Sequence, residues 1–164
     1  YPFTPFRGSW LYTAMASAPA GAQGIRDALD ILIEQQRLPA AEDLQVVVLT
    51  GDGAAYGMGL SSTSGAMERE LDFIYICYDN EGYGNTGQQF SGATPHAART
   101  ATSTGPHGFA GYKKDLFSIW AAHKPAYVAT VIGAEPLDLA RKVEKAMQLK
   151  GPRMLVALAP CPTG

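Results

Sequence analysis

Only two of the 164 residues are cysteine and three are histidine, and acidic side chains outnumber basic ones by just 15 to 13. Each scarcity excludes something. Cys77 and Cys161 lie far apart and outside any C-x-x-C, so spacing argues neither a disulfide framework nor a self-contained metal site. A reducing compartment, the cytoplasm, is the simpler setting. A net charge of -2 offers no basic surface to nucleic acid, and 46% hydrophobic against 17% charged residues is too apolar for a disordered chain. No apolar run reaches the ~20 residues of a membrane-spanning helix. The opening Tyr1-Pro2-Phe3-Thr4-Pro5-Phe6 lacks the charged and apolar regions of a signal peptide. Nucleic acid and membrane are therefore not expected partners. The length fits one domain, 1–164. A start at Tyr rather than Met, and a close at Cys161-Pro162-Thr163-Gly164 directly after an apolar run, read as a domain cut short at both ends.

What is present is an alternation of helical and strand-like segments. Ser17-Ala18-Pro19 supplies an N-cap and a first-turn proline, and Ile25, Ala28, Leu29, Leu32 and Ile33 recur at helical spacing up to about Gln36. Gln45-Val46-Val47-Val48-Leu49-Thr50 is a β-branched run of the kind buried on both faces of a parallel sheet. A short helix over 60–70 leads to a second such strand, Phe73-Ile74-Tyr75-Ile76-Cys77-Tyr78. Residues 79 to about 112 carry seven glycines and no sustained period, a loop long enough to point to function. A short helix over 116–122, a strand over 127–132, a helix from Pro136 with Leu139, Val143, Ala146 and Met147 on one face, and a strand over 154–159 complete the pattern. Gly151-Pro152 stops the last helix. The fold class is α/β, a parallel sheet flanked by helices.

In such sheets ligands bind beyond the carboxyl ends of the strands, where Gly51-Asp52-Gly53 and Asp79-Asn80-Glu81 both fall. The glycines beside Asp52 let backbone and phosphate approach without an intervening Cβ, so its carboxylate can reach a metal held by a diphosphate. Mg²⁺ takes hard oxygen ligands and only a few of them from protein. The Asn80 amide oxygen and the Gly82 carbonyl supply two more if the strands are neighbours. Gly-Asp-Gly alone is a common turn. The recurrence of Asn80 28 positions beyond Asp52, after an intervening helix and strand, resembles the thiamine-diphosphate fingerprint of decarboxylases, transketolases and oxoacid oxidoreductases.

A closer resemblance follows from Tyr78-Asp79-Asn80-Glu81-Gly82-Tyr83-Gly84-Asn85-Thr86-Gly87, Ser91-Gly92-Ala93-Thr94-Pro95, Lys113-Lys114, His123, Pro125-Ala126-Tyr127-Val128-Ala129-Thr130 and Ala159-Pro160-Cys161-Pro162. Together they resemble the β-subunit of pyruvate:ferredoxin oxidoreductases over nearly the whole chain. The resemblance implies the thiamine-diphosphate-binding fold, with Asp52, Asn80 and the Gly82 carbonyl on Mg²⁺. Gly51, Asp52, Gly53, Asn80, Gly82, Tyr83 and Asn85 would bind the cofactor, and Asn85 and Thr86 would lie at the reacting carbon. Cys161 would be one ligand of a [4Fe–4S] cluster whose other cysteines are outside this chain. The implied reaction is oxidative decarboxylation of a 2-oxoacid, with electrons passed through iron–sulfur clusters to ferredoxin and the acyl group to coenzyme A. The implied partners are further subunits of α, γ and δ type.

Other readings stand beside these. A non-redox thiamine-dependent decarboxylase or an isolated cofactor-binding module has the same metal motif. Gly84, where pyruvate enzymes often carry a larger residue, keeps an aromatic substrate such as phenylglyoxylate open. Cys77 reads as an inert, packed thiol, and Met58 and Met67 as core. His96, His107 and His123 read as loop or surface residues, Glu68-Arg69-Glu70 as a solvated helix end and Lys113-Lys114 as a solvated pair. Tyr83 and Phe90 can equally pack the glycine-rich loop down.

Overall fold

The β-branched runs become one four-stranded parallel sheet in a computed structural model that describes residues 8–39 and 44–161. The readings placed on Tyr1 to Phe6 and on Pro162 to Gly164 lie outside the described residues. Strands β1 (Val47–Gly51), β2 (Phe73–Asp79), β5 (Tyr127–Ile132) and β6 (Pro152–Leu158) run in the order β1-β2-β6-β5. The remaining strands, β3 (Gly82–Tyr83) and β4 (Gln89–Phe90), form a small antiparallel hairpin inside the long glycine-rich loop. Helices α1 (Ala18–Glu34), α2 (Leu60–Glu68), α3 (Leu116–Ala121) and α4 (Pro136–Met147) separate the strands.

The alternation of side chains along each strand divides the core in two. Val48, Phe73, Tyr75, Cys77, Met154 and Val156 turn to one face, where Trp120, Leu116, Met67 and Ala22 of the helices cover them. Ile74, Leu155 and Val131 turn to the other, under Leu139, Val143 and Ala146 of α4. Cys77 is fully buried, as its strand position required, and burial pushes its thiol pKa well up.

Several local expectations are corrected. In α1 the buried positions are Pro19, Ala22 and Arg26, while Ile25 is 37% exposed. Small residues let this helix approach the core closely, so the spacing of its bulky residues finds the buried face only in part: Leu29 packs against the core while Ile25 looks outward. Ser17 does occupy the N-cap, yet its hydroxyl donates back to Ala14 O at 2.7 Å rather than capping α1. Met58 and Met147 are about half exposed instead of packed. Finally, β6 begins at Pro152, which pairs with Phe73 and needs no donor as the first residue of a strand. That places Arg153 in the core, where its Nη1 donates to Asp72 Oδ1 at 2.6 Å.

Candidate functional site

Parallel pairing of β1 with β2 sets Gly51 beside Tyr78, so the two strands end together and release Asp52 and Asn80 at one edge of the sheet. From Asp52 the chain turns at once into a π-helical segment, Gly53–Met58, which the sequence pattern did not reveal. Asp52 is 2% exposed. Its Oδ2 accepts a short hydrogen bond from the Ser91 hydroxyl. Burial pushes the Asp52 carboxyl above the usual carboxylate range; the Ser91 hydroxyl opposes that shift and the neighbouring Asp79 adds to it. Among the described residues no lysine or arginine pairs with Asp52.

After β2 the chain bends sharply through Glu81, whose φ of 65° lies in the left-handed region that L-residues seldom adopt. Three contacts hold it there: its N–H donates to Asp79 Oδ1 at 3.0 Å, its carbonyl accepts from Thr94 Oγ1 at 2.6 Å, and its carboxylate accepts from Lys113 Nζ at 2.9 Å. Through this bend Asn80 and the Gly82 carbonyl face the same point. The inward end of the Asn80 amide lies 2.9 Å from Gly82 O and 2.7 Å from Asp52 Oδ1. Both neighbours are acceptors. With its nitrogen turned inward, Asn80 donates to both and the site is satisfied without a metal. With its oxygen turned inward, Asn80 meets two other acceptors within hydrogen-bond distance, a contact that a cation among them would relieve. The spacing suits Mg²⁺, because adjacent ligands of an octahedron with ~2.0–2.1 Å bonds are about 2.9 Å apart.

The second carboxylate at this edge is differently placed. Asp79, 1% exposed, accepts from Tyr56 Oη at 2.6 Å and Lys113 Nζ at 2.8 Å on Oδ2. Its oxygens are occupied by fixed donors. Burial, followed by the hydrogen bond to Asp79, drives the Tyr56 hydroxyl pKa far up, so Tyr56 stays a donor. Lys114 Nζ donates to Tyr56 O at 2.6 Å. The expectation of a solvated lysine pair is corrected for Lys113, which is half-buried in two ion pairs; Lys114 is exposed, as expected, though its ammonium reaches back to Tyr56 O. Ser91 and Thr94 are linked by Ser91 N–H to Thr94 Oγ1 at 2.8 Å, and one turn thereby steadies both Asp52 and Glu81.

The remaining candidates fall at varying distances. Tyr83 lies over the glycine turn: a Cβ on Gly53 would come 2.1 Å from its Cε1, and its hydroxyl donates to Gly53 O at 3.4 Å. Asn85 and Thr86 are exposed at the tip of the β3–β4 hairpin. Thr86 bonds within its own turn, to Tyr83 O and Gln89, and neither residue hydrogen-bonds to Asp52, Asn80 or Gly82. Cys161, half-buried, follows β6, whose exit is tied to that of β2 by Ala159 N–H to Asp79 O at 2.8 Å. It therefore leaves the sheet at the same edge as Asn80. His96 bonds to Gly111 O at 3.1 Å, and His123 to Ser64 Oγ at 2.8 Å and Ile119 O at 2.9 Å, all away from Asp52.

A family model described as thiamine pyrophosphate enzyme, C-terminal TPP binding domain, matches residues 2–157. The chain belongs to this thiamine pyrophosphate enzyme family. Within it, the chain is 42% identical to pyruvate synthase subunit PorB of Methanocaldococcus jannaschii, over 100% of this chain and 56% of that protein. It is 36% identical to ketoisovalerate oxidoreductase subunit VorB of Pyrococcus horikoshii, over 100% of this chain and 53% of the other. A solved 2-oxoglutarate:ferredoxin oxidoreductase from Magnetococcus marinus superposes with a TM-score of 0.77 at 26% identity, covering 91% of this chain and 46% of its own. The resemblance to the oxidoreductase β-subunit read from the motifs is borne out by these relatives, as is the α/β parallel-sheet fold. The chain spans about half the length of the curated relatives it matches. No helix of the described residues is long and apolar enough to cross a membrane.

Proposed function

We propose that this chain is the thiamine-diphosphate- and Mg²⁺-binding part of a cytoplasmic 2-oxoacid:ferredoxin oxidoreductase, with residues 1–164 forming one partial domain of a larger assembly. The substrate is pyruvate or a close 2-oxoacid relative, converted to acyl-CoA and CO₂ with electrons delivered through iron–sulfur clusters to ferredoxin. The observation that carries this reading is the convergence of Asp52 Oδ1, the Asn80 amide and Gly82 O at the β1–β2 edge, in a chain 42% identical to a pyruvate synthase subunit.

Asp52, Asn80 and the Gly82 carbonyl hold Mg²⁺ in this reading, and the backbone of Gly51 and Gly53 admits the diphosphate. Bound thiamine diphosphate supplies carbanion chemistry at the 2-oxo carbon. The chain's own residues do the positioning. Ser91 fixes the rotamer of Asp52, Glu81 and Thr94 hold the bend that aims Asn80 and Gly82, and Tyr83 backs the glycine turn. Asn85 and Thr86, on the exposed hairpin tip, meet the substrate. Cys161 gives one thiolate to a [4Fe–4S] cluster; such a cluster usually takes four, and Cys77 is sealed in β2, so the others come from elsewhere in the assembly. Further subunits of α, γ and δ type, coenzyme A and ferredoxin complete the reaction.

The test is purification of the intact complex, with quantification of thiamine diphosphate, Mg²⁺, iron and sulfide, followed by pyruvate-dependent viologen reduction. All four components and a reduction that requires coenzyme A are expected. Decarboxylation of pyruvate to a free aldehyde without iron or viologen reduction would replace this reading with the non-redox one.

A further inference from the structure

Three carboxyl groups crowd the edge where the cation is proposed to sit: Asp52 and Asp79, both buried, and Glu81, with a side chain 35% exposed. Among the described residues one ammonium group answers them directly. Lys113 Nζ stands 2.8 Å from Asp79 Oδ2 and 2.9 Å from Glu81 Oε1, gripping the residues on either side of Asn80. It also lies 5.9 Å from the Tyr56 ring centroid. Its position is imposed from outside the ion pairs, since the next residue is pinned by Lys114 N–H to Gly92 O at 2.9 Å and by Lys114 Nζ to Tyr56 O. Burial pulls the Lys113 pKa down, but its bonds to Asp79 and Glu81 outweigh that and hold it above the ordinary lysine range, so the charge persists at neutral pH.

We infer that Lys113 is a positioning residue that sets the charge of the site, so that the metal is retained together with a diphosphate rather than alone. The inference rests on the proposed Mg²⁺–thiamine-diphosphate reading. Three carboxylates against one ammonium leave two formal negative charges, which a divalent cation neutralises. Without Lys113 a third negative charge is uncovered. A bare divalent cation then binds more tightly, and the polyanionic diphosphate is repelled. Asp79 keeps the Tyr56 hydroxyl and the Glu81 N–H as donors in that variant, so the change is one of charge before it is one of anchoring. A purely structural lysine behaves differently: its loss slackens the Asn80 bend and weakens metal and diphosphate alike.

The experiment is calorimetry at low salt on the intact protein stripped of cofactor. Mg²⁺ alone is titrated first, then thiamine diphosphate at saturating Mg²⁺, for wild type, Lys113→Met, Lys113→Arg and Glu81→Gln. Lys113→Met should bind Mg²⁺ alone several-fold more tightly and thiamine diphosphate about tenfold more weakly, with both shifts shrinking as salt is raised. Lys113→Arg should restore both affinities. Glu81→Gln, which subtracts a negative charge, should move both in the opposite sense; it also decides the matter if Lys113→Met does not fold. Parallel weakening of both ligands, or no change in either, overturns the inference. An Asp52→Ala control separates the two levels. If it still binds Mg²⁺, the metal reading fails and the inference with it; if it does not, unshifted affinities in the Lys113 and Glu81 variants sink the inference alone.

Discussion

Replacing Gly53 with alanine puts a methyl group where the Tyr83 ring lies. The added Cβ would stand 2.1 Å from Cε1, 2.7 Å from Cζ and 2.8 Å from Cδ1 of that ring. Carbon atoms prefer roughly 3.5–4.0 Å, so the ring must retreat by about 1.5 Å. Tyr83 belongs to β3, and its displacement pulls on the Gly82 carbonyl and breaks the hydroxyl's bond to Gly53 O. Overpacking of this kind costs about 1–3 kcal/mol. The same substitution in a Tyr83→Ala background meets no ring, and there alanine replaces the poorest non-proline helix former, a gain of up to about 1 kcal/mol. Denaturant melts of the cofactor-free protein for wild type, both single variants and the double variant should therefore give a coupling energy of about 1–3 kcal/mol. Mg²⁺-dependent cofactor affinity should fall in Gly53→Ala. An equal cost of Gly53→Ala with and without Tyr83 would refute the steric argument.

Asn85→Ala should lower kcat far more than cofactor affinity in steady-state and calorimetric measurements, and equal losses would move Asn85 into the binding shell. Ser91→Ala removes the donor that opposes the burial-raised pKa of Asp52, so protons should compete with Mg²⁺ up to a higher pH. The acid-side midpoint of Mg²⁺-dependent cofactor binding must then shift upward, and an unchanged or lowered midpoint counts against the Ser91 role. Cys77, fully buried with its thiol pKa pushed up, should resist alkylation at pH 8 in the folded protein and react only on unfolding, as mass mapping of the labelled peptides would read.

Strand positions and the places where they release Asp52 and Asn80 were legible because continuous β-branched runs leave few alternatives to a parallel sheet, and glycines beside an acidic residue at a strand end mark a turn that needs space. The supports of the site were not. Tyr56 reaches Asp79 only because the π-helical segment turns it there, and helical periodicity carries no sign of such a segment. Ser91, Thr94 and Lys113 act only because a loop of thirty-odd residues folds back over the β1–β2 edge, and nothing periodic encodes that return. Exposed Met58 and Met147 show the limit of apolar identity as a guide to burial. Buried Arg153 shows the converse, since a charge enters the core when a partner such as Asp72 stands at the end of the neighbouring strand.

The central claim is a single cation among Asp52, Asn80 and the Gly82 carbonyl, and Mn²⁺ tests it most directly, because oxygen ligands of this kind accept Mn²⁺ in place of Mg²⁺. Crystals of the intact protein grown with Mn²⁺ and thiamine diphosphate should give one strong anomalous peak at that edge, with the Asn80 amide oxygen and Gly82 O both directed at it and the diphosphate on its far side. A peak elsewhere, or cofactor bound with the Asn80 nitrogen still donating to Asp52 Oδ1 and no metal between them, would contradict the account.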